Sequence, residues 1–313
     1  MAMRILVTGG AGFIGSHTVD ALIGEGHDLA VIDDLSAGRR EQVNPAARFL
    51  KADLRDAAAV NEIVARERPE TIFHFAAQMD VRRSVAEPSF DATVNLVGFL
   101  NLMEAGRRAG LRRVIFSSTG GAIYGEQEAF PCDEDHPLRP VSPYGVAKLA
   151  TEKYLFFYRA EYGLEYLALR YANVYGPRQD PHGEAGVMAI FCGRMLAGQP
   201  VTIFGDGEQT RDYVFVGDIV RANLAALRSN ASGAFNIGTG VEASVNRLYQ
   251  ELAAVAGIDS PPLHAPRRAG EQRRSLISPA RAAQHLHWRP QVSLAEGLRE
   301  TFAFFKARAA AGV

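Results

Sequence analysis

The chain alternates short, wholly apolar runs with longer segments in which apolar residues recur every three or four positions. The first kind reads as a strand buried on both faces, the second as a helix with one face on a core. Short runs fall at 4–8, 28–32, 48–51, 71–75, 114–117 and 166–170, and helical stretches at 12–24, 57–66, 89–106 and 143–162. This rhythm predicts parallel strands joined by crossover helices, an α/β fold with a Rossmann-type doubly wound parallel sheet. Beyond about residue 171 the rhythm loosens. Turn-forming residues gather in GPRQDPHGEAG and FGDGEQTRDY, and a Pro-rich stretch, SPPLHAPRR, follows a helix expected at 246–256. Short elements of this kind suit a smaller unit over the carboxyl ends of the sheet, where open α/β folds take ligands. Residues 214–215 and 234–236 read as strands returning to the large unit. The expected division is a large unit over 1–172 plus about 212–240, and a smaller, discontinuous C-terminal one over 173–211 and 241–313.

Composition narrows the class. The 313 residues exceed one average domain of roughly 150, and 47% hydrophobic against 22% charged residues is a globular balance. With 34 Lys+Arg against 35 Asp+Glu, the net charge of -1 provides no basic field for nucleic acid. Two cysteines, Cys132 and Cys192, cannot build a disulfide scaffold and suit a reducing compartment. No apolar run reaches the roughly 18 residues of a membrane span, and MAMRILVTGG runs into the first strand without signal-peptide architecture. A cytoplasmic enzyme or binding protein, with no membrane partner and no metal site, is expected.

The first strand ends in TGGAGFIGSH, with Gly9, Gly12 and Gly15 spaced as a dinucleotide turn requires. Gly9 permits the tight turn, Gly12 lets backbone amides approach a pyrophosphate, and Gly15 allows close helix–strand packing. The positive end of the following helix then faces the anion. Asp33 lies 18 residues after Gly15, at the end of the second strand, where a carboxylate accepts from the ribose hydroxyls. The same charge repels a 2′-phosphate, so NAD is favoured over its phosphorylated form; Arg39 and Arg40 nearby read as solvated loop charges.

SPYGVAK supplies the chemistry. Ser142 suits an N-cap and Pro143 the first helical position, which sets Tyr144 and Lys148 one turn apart on one face. A free phenol is about three pKa units too weak an acid to serve as a base at neutral pH. An adjacent ammonium and a positive nicotinamide ring together are expected to close that gap. Upstream, FSSTGGAIYG sets Ser117, Ser118 and Thr119 at a strand end, where hydroxyls reach the cleft.

On these motifs, together with VIDDLS, KADLRD, HFAAQMDVRRS, NLVG, LRYANVYGPRQ, RDYVFVGD, FNIGTG and HWRP, the chain resembles the extended short-chain dehydrogenase/reductase family, in its UDP-glucose 4-epimerase-like branch. The resemblance implies a UDP-sugar substrate, tightly bound NAD and a homodimer built on 89–106 and 143–162. It makes Tyr144 the base, has Lys148 lower its pKa and hold the nicotinamide ribose, and puts Thr119 on the reacting oxygen. It carries cofactor contacts to Gly9, Gly12, Phe13, Ile14, Gly15, Asp33, Asp34, Ser36, Gly38, Asp53, Leu54, Phe75, Ala76, Ala77, Asn95, Ser117, Tyr144, Lys148 and Tyr171. Substrate contacts pass to Thr119, Tyr144, Asn173, Val187, Phe204, Arg211, Arg268, Glu271 and Ser275, the two arginines as forks for a diphosphate.

Several positions depart from the family pattern. Met79 stands where a cofactor-contacting lysine is familiar, Glu271 where an aspartate is usual, and the loop GGAIYG is one residue longer. Gly120 and Gly121 occupy the places of the acid–base pair of sugar dehydratases, and glycine transfers no proton, which disfavours dehydration. Arg178 is the candidate cation for an acidic sugar, but Asp180 stands where some uronate epimerases carry arginine. Ser275 aligns with a gate residue that is tyrosine in the narrowest epimerases, so a 2-acetamido sugar is expected to fit. Other nucleotide-sugar enzymes of the family (a uronate 4-epimerase, a decarboxylase, a dehydratase) and a non-catalytic NAD sensor are the alternatives.

Overall fold

The computed structural model describes residues 2–181, 186–267 and 272–311. Strands β1 (Arg4–Thr8), β2 (Asp28–Asp33), β3 (Arg48–Lys51), β4 (Thr71–His74), β5 (Arg113–Thr119) and β6 (Glu165–Tyr171) appear as their apolar runs predict. With β10 (Gly233–Ile237) they form a seven-stranded sheet in the order β10-β6-β5-β4-β1-β2-β3, every pair parallel. The order reverses between β1 and β4, which opens a crevice at their carboxyl ends.

Alternation along β1 divides the core between the two sheet faces. Ile5 and Val7 pack with Val19 and Leu22 of helix α1 (Phe13–Gly24) and Ile219 and Ala222 of a helix further along the chain. Leu6 packs on the other face with Val60 and Val64 of α2 (Ala57–Glu67). After the short α3 (Val81–Ala86), the helix expected at 89–106 is built in three pieces: α4 (Pro88–Ala92), a π-helical turn Thr93–Val97, and α5 (Gly98–Ala109). Phe99, Leu102 and Met103 of α5 join Leu155 and Tyr158 of α6 (Pro143–Tyr162) on this second face.

The remaining elements form smaller layers. β7 (Asn173–Tyr175), β9 (Thr210–Phe215), β11 (Glu242–Ser244) and β13 (Arg274–Ser275) make a four-stranded sheet centred on β9, and β8 (Thr202–Phe204) pairs with β12 (Leu263–Ala265). The strand expected at 214–215 therefore does not return to the large sheet; it pairs with β7 and β11. Residues 234–236 do return, as β10 beside β6. Helices α7 (Val187–Leu196), α9 (Val245–Ala256) and α11 (Leu294–Ala310) pack around Met188, Phe191, Leu248, Leu252, Leu298 and Phe302. Between them in sequence, α8 (Val216–Arg228) lies against α1 and α10 (Ala280–His285) against β10.

Candidate active site

β1 hands the chain at Thr8 to Gly9, whose φ of +71° belongs to the left-handed region that glycine adopts without strain. The Gly9 amide donates to the Ile32 carbonyl at 2.8 Å. A Cβ on Gly15 would lie 2.2 Å from the Gly9 carbonyl oxygen, so α1 meets the turn at backbone contact. Gly12 caps α1 without a side-chain hydrogen bond, and the amides of Phe13, Ile14 and Gly15 have no acceptor among the described residues. Beside Gly12 a Cβ would meet only the Gly9 carbonyl, at 3.3 Å. Unsatisfied donors at an uncapped helix start, open on one side, fit a pyrophosphate.

Asp33 ends β2 buried beneath this turn. Its Oδ2 accepts from the Ala11 amide and its Oδ1 from the Leu35 amide, each at 2.9 Å, which leaves further lone pairs for ribose hydroxyls. Burial raises its pKa from the ordinary carboxylate value, against the pull of those two amides. Asp34 accepts from the Ser36 amide and hydroxyl at 2.8 and 2.6 Å, and Gly38 approaches Ala11 so closely that a Cβ would stand 2.8 Å from that methyl. Asp53 is held by Arg55 at 2.8 Å, which keeps the carboxyl below its usual range. Leu54 is buried against Gly98.

On the other side of the crevice, the Phe75 and Ala76 amides both donate to the Thr8 carbonyl, at 3.0 and 3.1 Å, and lead into Ala77. Asn95, carried by the π turn, accepts from the Gln78 amide at 2.8 Å and donates to the Gln78 carbonyl at 2.9 Å and to Asp91 at 3.0 Å. Met79 beside this clamp is exposed.

Ser142 accepts from the Gly145 amide at 3.2 Å and Pro143 opens α6. Lys148 is buried; its Nζ donates to the Ser117 carbonyl at 2.7 Å and lies 4.7 Å from the centroid of Phe116 and 5.7 Å from that of Tyr144. Thr119 ends β5 and accepts from the Ala122 amide at 3.2 Å. Burial pulls Lys148 down to about 8, against the opposing influence of Asp91 and Glu152. In the protein alone, burial pushes the Tyr144 phenol above its ordinary value, and the nearby Asp91 carboxylate adds to that.

A buried polar network underlies β5 and α6. Glu152, one turn beyond Lys148, accepts from the Ser118 hydroxyl at 2.6 Å and from Arg170 Nε and Nη2 at 3.0 and 2.7 Å. Arg170 also donates to the Tyr124 hydroxyl at 2.9 Å, which donates to Asn236 Oδ1 at 2.6 Å. The Asn236 amide donates in turn to Glu134 at 2.7 Å.

The remaining candidates are spread over the smaller layers. Tyr171 is buried, its hydroxyl donating to Asn223 at 2.7 Å. Asn173 opens β7, Val187 opens α7 and Phe204 closes β8. Arg211 turns its fork onto backbone, donating to the Thr210 carbonyl at 2.8 Å and the Gln272 carbonyl at 2.9 Å. Ser275 is buried on β13, in register with Arg211. Its strand is tied to the loop after β5, since Gln272 donates to the Gly125 carbonyl at 2.6 Å and the Leu276 amide to Gln127 at 2.9 Å. Arg268 and Glu271 lie outside the described residues. Arg178 pairs with Asp20 on α1 at 2.7 Å. A Cβ on Gly120 would stand 2.7 Å from Ile277 Cδ1 and 3.1 Å from the Tyr171 carbonyl, whereas one on Gly121 would meet only Thr119 Oγ1, at 3.9 Å. Gln78 and Asp91 were not foreseen from the sequence. The available signal was position, because Asp91 stands four residues before Asn95 and so on the same helix face.

The fold and the turn define the class, and comparison with known proteins agrees. The NAD dependent epimerase/dehydratase family matches residues 5–238, and the chain belongs to it. A UDP-glucose 4-epimerase of Mycolicibacterium smegmatis is 50% identical over 310 residues, covering 97% of this chain and 99% of that protein. The crystal structure of a Thermotoga maritima UDP-glucose 4-epimerase with UDP-glucose superposes with a TM-score of 0.96 at 51% identity. That of the Thermus thermophilus UDP-glucose 4-epimerase in complex with NAD does so with a TM-score of 0.92 at 47% identity. Each match covers 97% of this chain and 99% of the solved one.

Proposed function

We propose that the protein epimerises UDP-sugars at C4, interconverting UDP-glucose and UDP-galactose with NAD held through the whole cycle. The observation that carries this is the contact of Lys148 with the Ser117 carbonyl at 2.7 Å. It anchors the start of α6, which carries Tyr144, to the end of β5, which carries Thr119. NAD, when bound, would supply the hydride acceptor and donor for the sugar C4. The free amides of Phe13, Ile14 and Gly15 bind its pyrophosphate, Asp33 the adenosine ribose, and Lys148 the nicotinamide ribose with the two N–H groups left to it. The Lys148 ammonium and the nicotinamide's positive charge together would acidify Tyr144. Tyr144 then takes the 4-hydroxyl proton and gives it back, with Thr119 holding that oxygen while the 4-keto sugar turns over.

The cofactor unit comprises residues 1–172 with α8 and β10, and the sugar nucleotide binds the smaller layers through Asn173, Val187, Phe204, Arg211, Arg268 and Glu271. Gly120 supports epimerisation over dehydration, and the Arg178–Asp20 pair supports a neutral over an acidic sugar. The small Ser275 leaves room for a 2-acetamido group, so UDP-GlcNAc and UDP-GalNAc are also accepted. The chain works in the cytoplasm; among the described residues no helix is long and apolar enough to cross a membrane. It pairs as a homodimer through 89–106 and α6, and on α6 Val146, Phe156 and Phe157 stand exposed. The test is incubation of purified protein with a panel of UDP-sugars without added cofactor. C4 epimers are the expected products, and 4-keto-6-deoxy sugars or no turnover would overturn the proposal.

A further inference from the structure

Asp91 is fully buried on α4. Its Oδ1 accepts from Gln78 Nε2 at 2.9 Å and from Asn95 Nδ2 at 3.0 Å. Its Oδ2, equally buried, has no hydrogen-bond partner among the described residues. A carboxylate oxygen left dry and unpaired is costly, and such a cost persists where the charge has a use. α4 packs directly on α6, and the Lys148 ammonium and Tyr144 phenol lie within its electrostatic reach.

We propose that Asp91 is a positioning residue for the Tyr144–Lys148 pair: it is the internal counter-charge of the Lys148 ammonium and, through Asn95 and Gln78, ties that charge to the 75–80 segment lining the cofactor crevice. The inference rests on the reading of Tyr144 and Lys148 given above. The surrounding ionisable groups leave Asp91 this role. Glu152 on α6 also acts on Lys148, but it is engaged by Arg170. His74 on β4 is held neutral, its pKa lowered by burial to about 3. On α3, Arg83 pairs with Glu87 at 3.5 Å and Arg82 has its own interaction. Removing the Asp91 charge makes Lys148 lose its proton at lower pH and lets Tyr144 ionise at lower pH. Both limbs of the activity profile therefore move the same way.

The experiment is the pH profile of kcat/KM for Asp91→Asn and Asp91→Glu, with Tyr144→Phe as control. Asp91→Asn should shift the profile toward acid by about one unit, whereas Asp91→Glu, which keeps the charge, should lower turnover without moving it. An Asp91→Asn profile superposing on wild type overturns the inference. Loss of turnover in Tyr144→Phe with NAD retained sustains the underlying reading, and turnover surviving there sinks that reading instead. Should Asp91→Asn not fold, the Lys148→Met background decides. Recovery of a folded Asp91→Asn/Lys148→Met protein demonstrates the charge coupling; failure of that double variant, with Lys148→Met alone folded, refutes it.

Discussion

A phenol and an ammonium one helical turn apart are a common surface feature; what distinguishes Tyr144 and Lys148 is that the ammonium is buried and fixed by a carbonyl, with a half-buried phenol beside it. Tyr144→Phe should cut turnover by about 10³-fold while bound NAD, read by absorbance after denaturation, stays at wild-type occupancy. His74 gives a separate, titratable signature in folding. Folded, it hydrogen-bonds Thr8 at 2.7 Å and takes up a proton only at about pH 3, whereas its ordinary value is 6.5. Below pH 6.5 the unfolded chain therefore binds the extra proton. This group's contribution is complete above that pH and is lost on acidification toward pH 3, at up to about 1.4 kcal/mol per pH unit. Replacing His74 by Gln should flatten that part of the stability–pH curve, as measured by urea unfolding at a series of pH values.

Among the elements, those read most directly from the sequence carry their own boundaries. β1 and β2 are short apolar runs closed by glycine or aspartate, and α6 announces itself by Ser142 and Pro143 and ends at Gly163 with φ +69°. The strand at 214–215 was assigned to the wrong sheet because a run buried on both faces looks the same whichever partner it pairs with. Asp91 was missed because its place depends on two helices meeting. The glycine turn permits a sharp test at this scale. Gly15→Ala drives a methyl into the Gly9 carbonyl, which should cost about 1–3 kcal/mol of stability and abolish retained NAD, checked by thermal melting and by nucleotide content.

At the scale of the whole molecule, the sheet order was legible in outline because strand–helix alternation admits few topologies; the face for the proposed pairing with a second copy was not, since an apolar helix face suits a core equally well. Phe156, 63% exposed on α6, resolves that ambiguity toward the surface. On the proposed homodimer, Phe156→Glu should shift sedimentation to monomer, with the fold intact by circular dichroism. The Glu152–Arg170 ion pair joins α6 to β6 within the Ser118-to-Glu134 network. Opposite charges locked together away from water tolerate no gradual sliding, because any half-shifted register strands both. The reactive phenol is thus indexed to the sheet like a gear tooth. Lesions in that gearing should abolish turnover abruptly, even when they lie far from the sugar.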